Sequence, residues 1–282
     1  MPELPAVHYT TELIRKNCLK KEILKCQFLP QKDEIIFTED VIQILERTKY
    51  ILKVGRWGKQ MWLQLDNGFV LMHLGMTGFV QISGQSRLRY ESSPSNKREM
   101  NEEWPPRFTK LLLRFADDSE MIFADARRLG RVAASAAKNE AEMIAFLQSK
   151  LGFDPILSED LKLDDFISQT QKRRVKLKPL LLDQKYVAGV GNWMADDILL
   201  EARLSPHRLG SSLNESECKA LLRAIRHISQ TAIDAEAQKA QFPQQWLFHI
   251  RWNHGKETLT GLAVKEERLG GRSTFWIPKL QK

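Results

Sequence analysis

The sequence predicts an α+β chain, with strands in its first half, helices in its second and a small β-hairpin at its end. Three patterns carry this reading. Apolar runs at 61–65 and 69–74 flank Asp66-Asn67-Gly68, and Asn-Gly between such runs signals a hairpin because both residues tolerate positive φ. Leu221, Leu222, Ile225 and Ile228 recur at helical spacing behind Asn214-x-x-Glu217, the polar spacing of a capping box. The C-terminal tail loses that period, and residues 259–264, Gly270-Gly271 and 273–277 read as a hairpin.

Taken in order, Pro5 suits the first turn of a helix that Val7, Leu13 and Ile14 carry to near Cys18. A second hairpin is expected from 110–115 through Asp117-Asp118 to 121–123. Between the hairpins, residues 83–106 are polar, contain Ser93-Pro94-Ser95-Asn96 and read as a long exposed loop. Residues 133–146, rich in Ala, Lys and Glu, read as a linker or a helix. The expected division is a first domain over 1–134, a linker over 135–150, a helical domain over 151–247 and the hairpin region over 248–282.

The 43% hydrophobic content of the 282 residues excludes a wholly disordered chain. The net charge of +8 favours a polyanionic partner without requiring one. No apolar stretch approaches the roughly 20 residues of a membrane helix, and MPELPAVHYT lacks the basic-then-apolar pattern of a secretory signal. Cys18, Cys26 and Cys218 form no C-x-x-C pair, and the histidines show no H-E-x-x-H spacing. The expectation is a reducing, intracellular setting with no zinc site and no cofactor.

Five constellations can carry chemistry. With Met1 removed, Pro2 presents a secondary amine able to attack an electrophilic sugar carbon, with Glu3 beside it as a proton donor; alone, the pair equally suits an ordinary terminus. Gly189-Val190-Gly191-Asn192 precedes a helical run, so its backbone amides can approach a phosphate, with Asn192 as N-cap, or it is a plain glycine turn. Lys172, Arg173, Arg174, Lys176 and Lys178 form a cationic run that suits either a phosphate-facing or a solvated surface. Met76, Arg127 and Leu129 can fill the hole left by an extruded base, or can be core. Arg272 after Gly270-Gly271, and Lys59 after Gly55-Arg56-Trp57-Gly58, are further phosphate candidates.

The order of these motifs is more specific than any one of them. Met1-Pro2-Glu3-Leu4-Pro5, G-R-x-G-K at 55–59, H-L-G-M-T-G at 73–78, D-x-R-R at 125–128, L-K-P-x-L-L-D-Q at 177–184, G-V-G-N at 189–192 and G-G-R-S-T-F at 270–275 resemble the formamidopyrimidine-DNA glycosylase (Fpg/Nei) family from residue 2 to residue 282. The resemblance implies an N-terminal β-sandwich flanked by helices, a helix–two-turn–helix domain, a C-terminal β-hairpin finger and DNA in the cleft between the domains. It implies a monomer acting on double-stranded DNA with oxidised or abasic lesions, in the nucleus if the source is eukaryotic. It implies a base-excision repair glycosylase and AP lyase. Pro2 would attack C1′, Glu3 would protonate the sugar ring oxygen, and β,δ-elimination would cut the strand. By position, Lys59, His73, Asn192 and Arg272 match phosphate-binding residues, Met76, Arg127 and Leu129 match void fillers, and Lys178 matches a lysine of the damaged-base site. Asp183 is expected to be structural, capping or bracing the motif at 177–184.

Four departures stand out. Ala6 replaces the family's usual Glu, and Leu129 stands where many members have Phe. The four zinc-binding cysteines are missing, and the tail resembles the zincless finger of plant and fungal homologues. Residues 243–255 look too short for the loop that caps 8-oxoguanine, which favours formamidopyrimidines. Two other readings compete: a catalytically silent DNA-damage binder, prompted by Ala6, and a basic RNA-binding or ribosome-associated protein.

Overall fold

The computed structural model describes residues 2–85, 103–251 and 258–282, so much of the loop expected over 83–106 and the end of the 243–255 segment lie outside the described residues. The chain divides into two compact units: Pro2 with Ala6–Ser149, and Glu3–Pro5 with Lys150–Lys282.

The first unit contains α1 (Leu4–Cys18, beyond its first residues), β1 (Ile23–Phe28), α2 (Glu39–Arg47), β2 (Ile51–Trp57), β3 (Gln60–Leu65), β4 (Gly68–His73), β5 (Phe79–Ile82), β6 (Thr109–Phe115), β7 (Glu120–Ala124), β8 (Arg131–Ser135) and α3 (Glu140–Lys150). Its strands form two antiparallel four-stranded sheets, β1-β6-β7-β5 and β2-β3-β4-β8. Alternation along the strands aims one face of each sheet at a shared core. Met61, Leu63, Leu65, Val70 and Met72 enter it from one sheet, and Leu111, Leu113, Phe115, Met121 and Phe123 from the other. Val7 and Ile14 of α1 and Val41 and Leu45 of α2 join the same core, giving a β-sandwich flanked by helices.

The first expected hairpin forms with a different turn. Leu65 pairs with Gly68, so the turn is Asp66-Asn67, and neither of those residues has positive φ. Side-chain hydrogen bonds shape it instead: Asp66 Oδ1 accepts from Lys49 N at 3.1 Å, and Asn67 Nδ2 donates to Ile44 O at 2.9 Å. Of the segment expected as linker or helix, the beginning is strand β8 and Glu140–Lys150 is helix.

The second unit holds α4 (Leu163–Gln171), α5 (Leu177–Leu182), α6 (Asn192–Glu201), α7 (Glu215–Asp234), α8 (Phe248–Arg251), β9 (Thr258–Leu259), β10 (Leu262–Ala263), β11 (Lys265–Leu269) and β12 (Arg272–Trp276). Leu177, Leu181, Tyr186, Met194, Ile198, Leu221, Ile225 and Ile228 are among the residues of its core. The capping box forms: Asn214 Oδ1 accepts from Glu217 N, and Glu217 Oε2 accepts from Asn214 N, both at 2.9 Å. The helix–two-turn–helix is α5, residues 183–191 and α6. Asp183 caps α5, but Gln184 is the main brace of the turns: its Nε2 donates to Leu182 O and Val190 O, and its Oε1 accepts from Gly189 N. The tail forms two hairpins, β9–β10 and β11–β12, where the sequence suggests one. No described helix is long and apolar enough to cross a membrane.

Candidate active site

The glycine turn before α6 binds an anion, and the anion is the protein's own. Glu3 is 2% exposed; its Oε1 accepts from Trp193 N at 3.2 Å and its Oε2 from Met194 N at 3.3 Å. These N–H groups belong to the first turn of α6, where free donors and the helix dipole attract negative charge. Gly191 has to lack a side chain, because a Cβ there would lie 2.1 Å from Glu3 Cδ. Gly189 has φ +100, and Leu4 N donates to its carbonyl at 3.1 Å. The residue capping α6 is Gly191, not Asn192 as the sequence suggests, and Glu3 satisfies the donors. Asn192 instead sends Nδ2 to Ser273 Oγ at 3.3 Å, leaving its Oδ1 buried without a hydrogen-bond partner. Pro2 is buried and clusters with the first unit.

The cationic run divides. Arg173, Arg174 and Lys176 are exposed, whereas Lys178 is wholly buried beneath α6. Its Nζ donates to Asn192 O and to Asp196 Oδ1, both at 2.6 Å. Burial pulls its pKa below the ordinary lysine range, against the opposing attraction of Asp196. Asp196 Oδ2 also accepts from Phe275 N at 3.1 Å and pairs with Arg251, whose Nη1 donates to Ser273 Oγ at 2.9 Å. One carboxylate thus joins α5, α6, α8 and β12. Arg272 is exposed at the tip of the β11–β12 hairpin, whose two turn glycines have φ +58 and +76. Neighbouring Asp197 accepts from Leu247 N at 2.6 Å and Phe248 N at 3.2 Å, while burial pushes its pKa well above the usual carboxylate range.

The first unit assembles a second group of predicted residues. Lys59 follows Gly58 in the β2–β3 turn, and His73 ends β4 in register with Gln60 and Arg131. His73 Nδ1 accepts from Gly75 N at 3.0 Å. Burial, with the positive charges of Lys59 and Arg131, holds the His73 pKa below its ordinary value. Met76 and Leu129 are 37% and 39% exposed, and Arg127 is exposed; none of the three is core. Buried Asp125 lies between their turns and accepts four hydrogen bonds.

Sequence reasoning missed Asp125, Gln184, Asp196, Asp197 and Arg251 as organisers. The signal for two of them was present: an Asp-Asp pair inside the apolar run W-M-A-D-D-I-L-L must find buried partners on both sides of its helix. Among the described residues no group of three or more His, Cys, Asp or Glu could hold a metal ion.

A sandwich domain is joined in sequence to a helix–two-turn–helix, and Glu3, next to Pro2, is bound to the second helix of that motif. The model of the formamidopyrimidine-DNA glycosylase N-terminal domain matches residues 1–132, and that of the formamidopyrimidine-DNA glycosylase H2TH domain matches residues 151–244. A formamidopyrimidine-DNA glycosylase of Arabidopsis thaliana is 35% identical over all of this chain and 71% of its own length. One from Heliobacterium modesticaldum is 31% identical over the full length of both. The structure of Lactococcus lactis Fpg bound non-covalently to DNA containing an AP site superposes with a TM-score of 0.77 at 23% identity, covering 99% of each chain. The chain belongs to the formamidopyrimidine-DNA glycosylase family.

Proposed function

We propose that this chain is a base-excision repair enzyme, a bifunctional glycosylase and AP lyase acting on oxidised purines in double-stranded DNA. One observation carries the reading: a carboxyl group adjoining the prolyl nitrogen is built into the N-terminus of α6, with Gly191 cleared to admit it.

Once Met1 is removed, the nitrogen of Pro2 is a secondary amine. Its lone pair attacks C1′ of the extruded nucleotide as the glycosidic bond breaks and the base leaves with that bonding pair. The Glu3 carboxylate takes the proton that the attacking nitrogen sheds and passes it to the ring oxygen, the sugar opens and the C1′–N iminium forms. The iminium acidifies the C2′ proton. Its loss expels the 3′ phosphate, a second elimination expels the 5′ phosphate, and water releases Pro2. Lys59, His73, Asn192 and Arg272 each hold a phosphate of the DNA. Turning the Asn192 amide over makes its unmet buried atom a donor, which is what a phosphate requires. Met76, Arg127 and Leu129 fill the vacated stack. Lys178 acts on the damaged-base site through the Asn192 carbonyl it holds. The shortness of the 243–255 segment supports a preference for formamidopyrimidines over 8-oxoguanine. The enzyme works as a monomer, and in a eukaryotic cell in the nucleus.

Borohydride trapping on a duplex with one abasic site tests the chemistry. A covalent adduct mapped by mass spectrometry to Pro2 is expected. DNA binding with no adduct makes the protein a silent damage binder and overturns the enzymatic reading.

A further inference from the structure

We propose that Asp125 is a positioning residue that locks the Met76 turn and the 127–130 turn into one rigid wedge. Expulsion of a damaged base then depends on Asp125, while cleavage at a site already abasic does not. The proposal rests on the void-filling role given above to Met76, Arg127 and Leu129.

A single buried carboxylate holds the backbone or close neighbour of all three residues. Asp125 Oδ1 accepts from Thr77 Oγ1 at 2.6 Å and from Arg127 N at 3.1 Å. Its Oδ2 accepts from Leu129 N at 2.8 Å and Gly130 N at 2.7 Å. Thr77 directly follows Met76, so the bond to its hydroxyl ties one turn to the other. The turns also touch: Gly75 has φ +65, and a Cβ on it would lie 2.5 Å from the carbonyl carbon of Leu129. Arg128, with φ +54, turns the other way, where its guanidinium forms two 2.8 Å hydrogen bonds with Asp33.

The need for such a lock follows from exposure. Large apolar side chains normally hold position by being buried, and Met76 and Leu129 are more than a third exposed. Their aim has to come from the backbone beneath them. A wedge that yields lets the base restack, so its stiffness matters most when there is a base to expel. An abasic nucleotide carries none.

Asp125→Asn keeps the volume but turns an amide N–H toward donors at Leu129 and Gly130 or at Thr77 and Arg127. Thr77→Val removes only the tie between the turns, at an exposed position that leaves the carboxylate's other three bonds intact. Single-turnover excision from a formamidopyrimidine duplex is expected to fall about ten-fold or more in D125N and about three-fold in T77V. Cleavage of a preformed abasic duplex is expected to change by less than about two-fold in T77V. A second readout needs no catalysis: 2-aminopurine opposite an abasic-site analogue should brighten when wild-type protein inserts the wedge, and brighten less with T77V. Equal loss of excision and cleavage in T77V, or an unchanged excision rate in both variants, overturns the proposal. Absence of both activities from the wild type, with 2-aminopurine still responding through Thr77, would overturn the enzymatic reading and leave the wedge standing.

Discussion

Asp196 is the residue on which the buried charge of the second unit balances. It is 1% exposed, between Lys178 at 0% and Arg251 at 9%. Burying an ion pair yields little net stability, but removing one partner strands the other charge, typically at 3–5 kcal/mol. Here two cations would be stranded. Asp196→Ala is therefore expected to cost at least about 3 kcal/mol in denaturant unfolding, whereas a loss below about 1 kcal/mol would mean the cations find other acceptors. The sequence shows that Asp196 needs buried partners but not which ones, because it meets them across 18, 55 and 79 residues of chain. Exposed turns were easier to read: Met76, Leu129 and Arg272 stand at turns whose glycines and motif spacing are local. Lys178 misled for the converse reason, since a cationic run gives no sign that its last member turns inward.

At the scale of elements, local signals served best where the element carries its own termination. Helix α7 begins where its capping box says, because the reciprocal Asn214–Glu217 bonds close the two donors nearest the start. Asn214→Ala should cost about 1 kcal/mol, read as a lower midpoint in thermal or denaturant unfolding with the helix otherwise intact; no change would mean that tertiary packing alone sets that boundary. The β3–β4 hairpin was legible as an element and misplaced by one residue at its turn, because the hydrogen bonds of Asp66 and Asn67 to residues 44–50 decide the register. The tail illustrates the limit. A metal site would announce itself through paired cysteines, but β12 is held by a backbone bond to Asp196 and by Arg251, which leave no spacing pattern.

For the whole molecule, the excess of 43 basic over 35 acidic side chains is a statement about encounter with a polyanion and not about fold. On the proposed reading, its effect is measurable as counterion release. Each phosphate neutralised by Lys or Arg adds about −0.9 to the slope of log affinity against log salt, so Lys59 and Arg272, the two cations among the proposed contacts, together give about −1.8 on duplex DNA carrying an abasic-site analogue. Lys59 is the useful probe, because it stands in the β2–β3 hairpin turn and takes no part in the buried Lys178–Asp196–Arg251 network. Lys59→Ala should weaken binding to lesion and undamaged duplexes alike and flatten the slope by about 0.9. Parallel salt titrations of wild type and variant check both parts. Weaker binding with an unaltered slope would mean that Lys59 meets the sugar or base and not a phosphate. A flattened slope on lesion DNA alone would mean that the contact forms only after the nucleotide has left the stack.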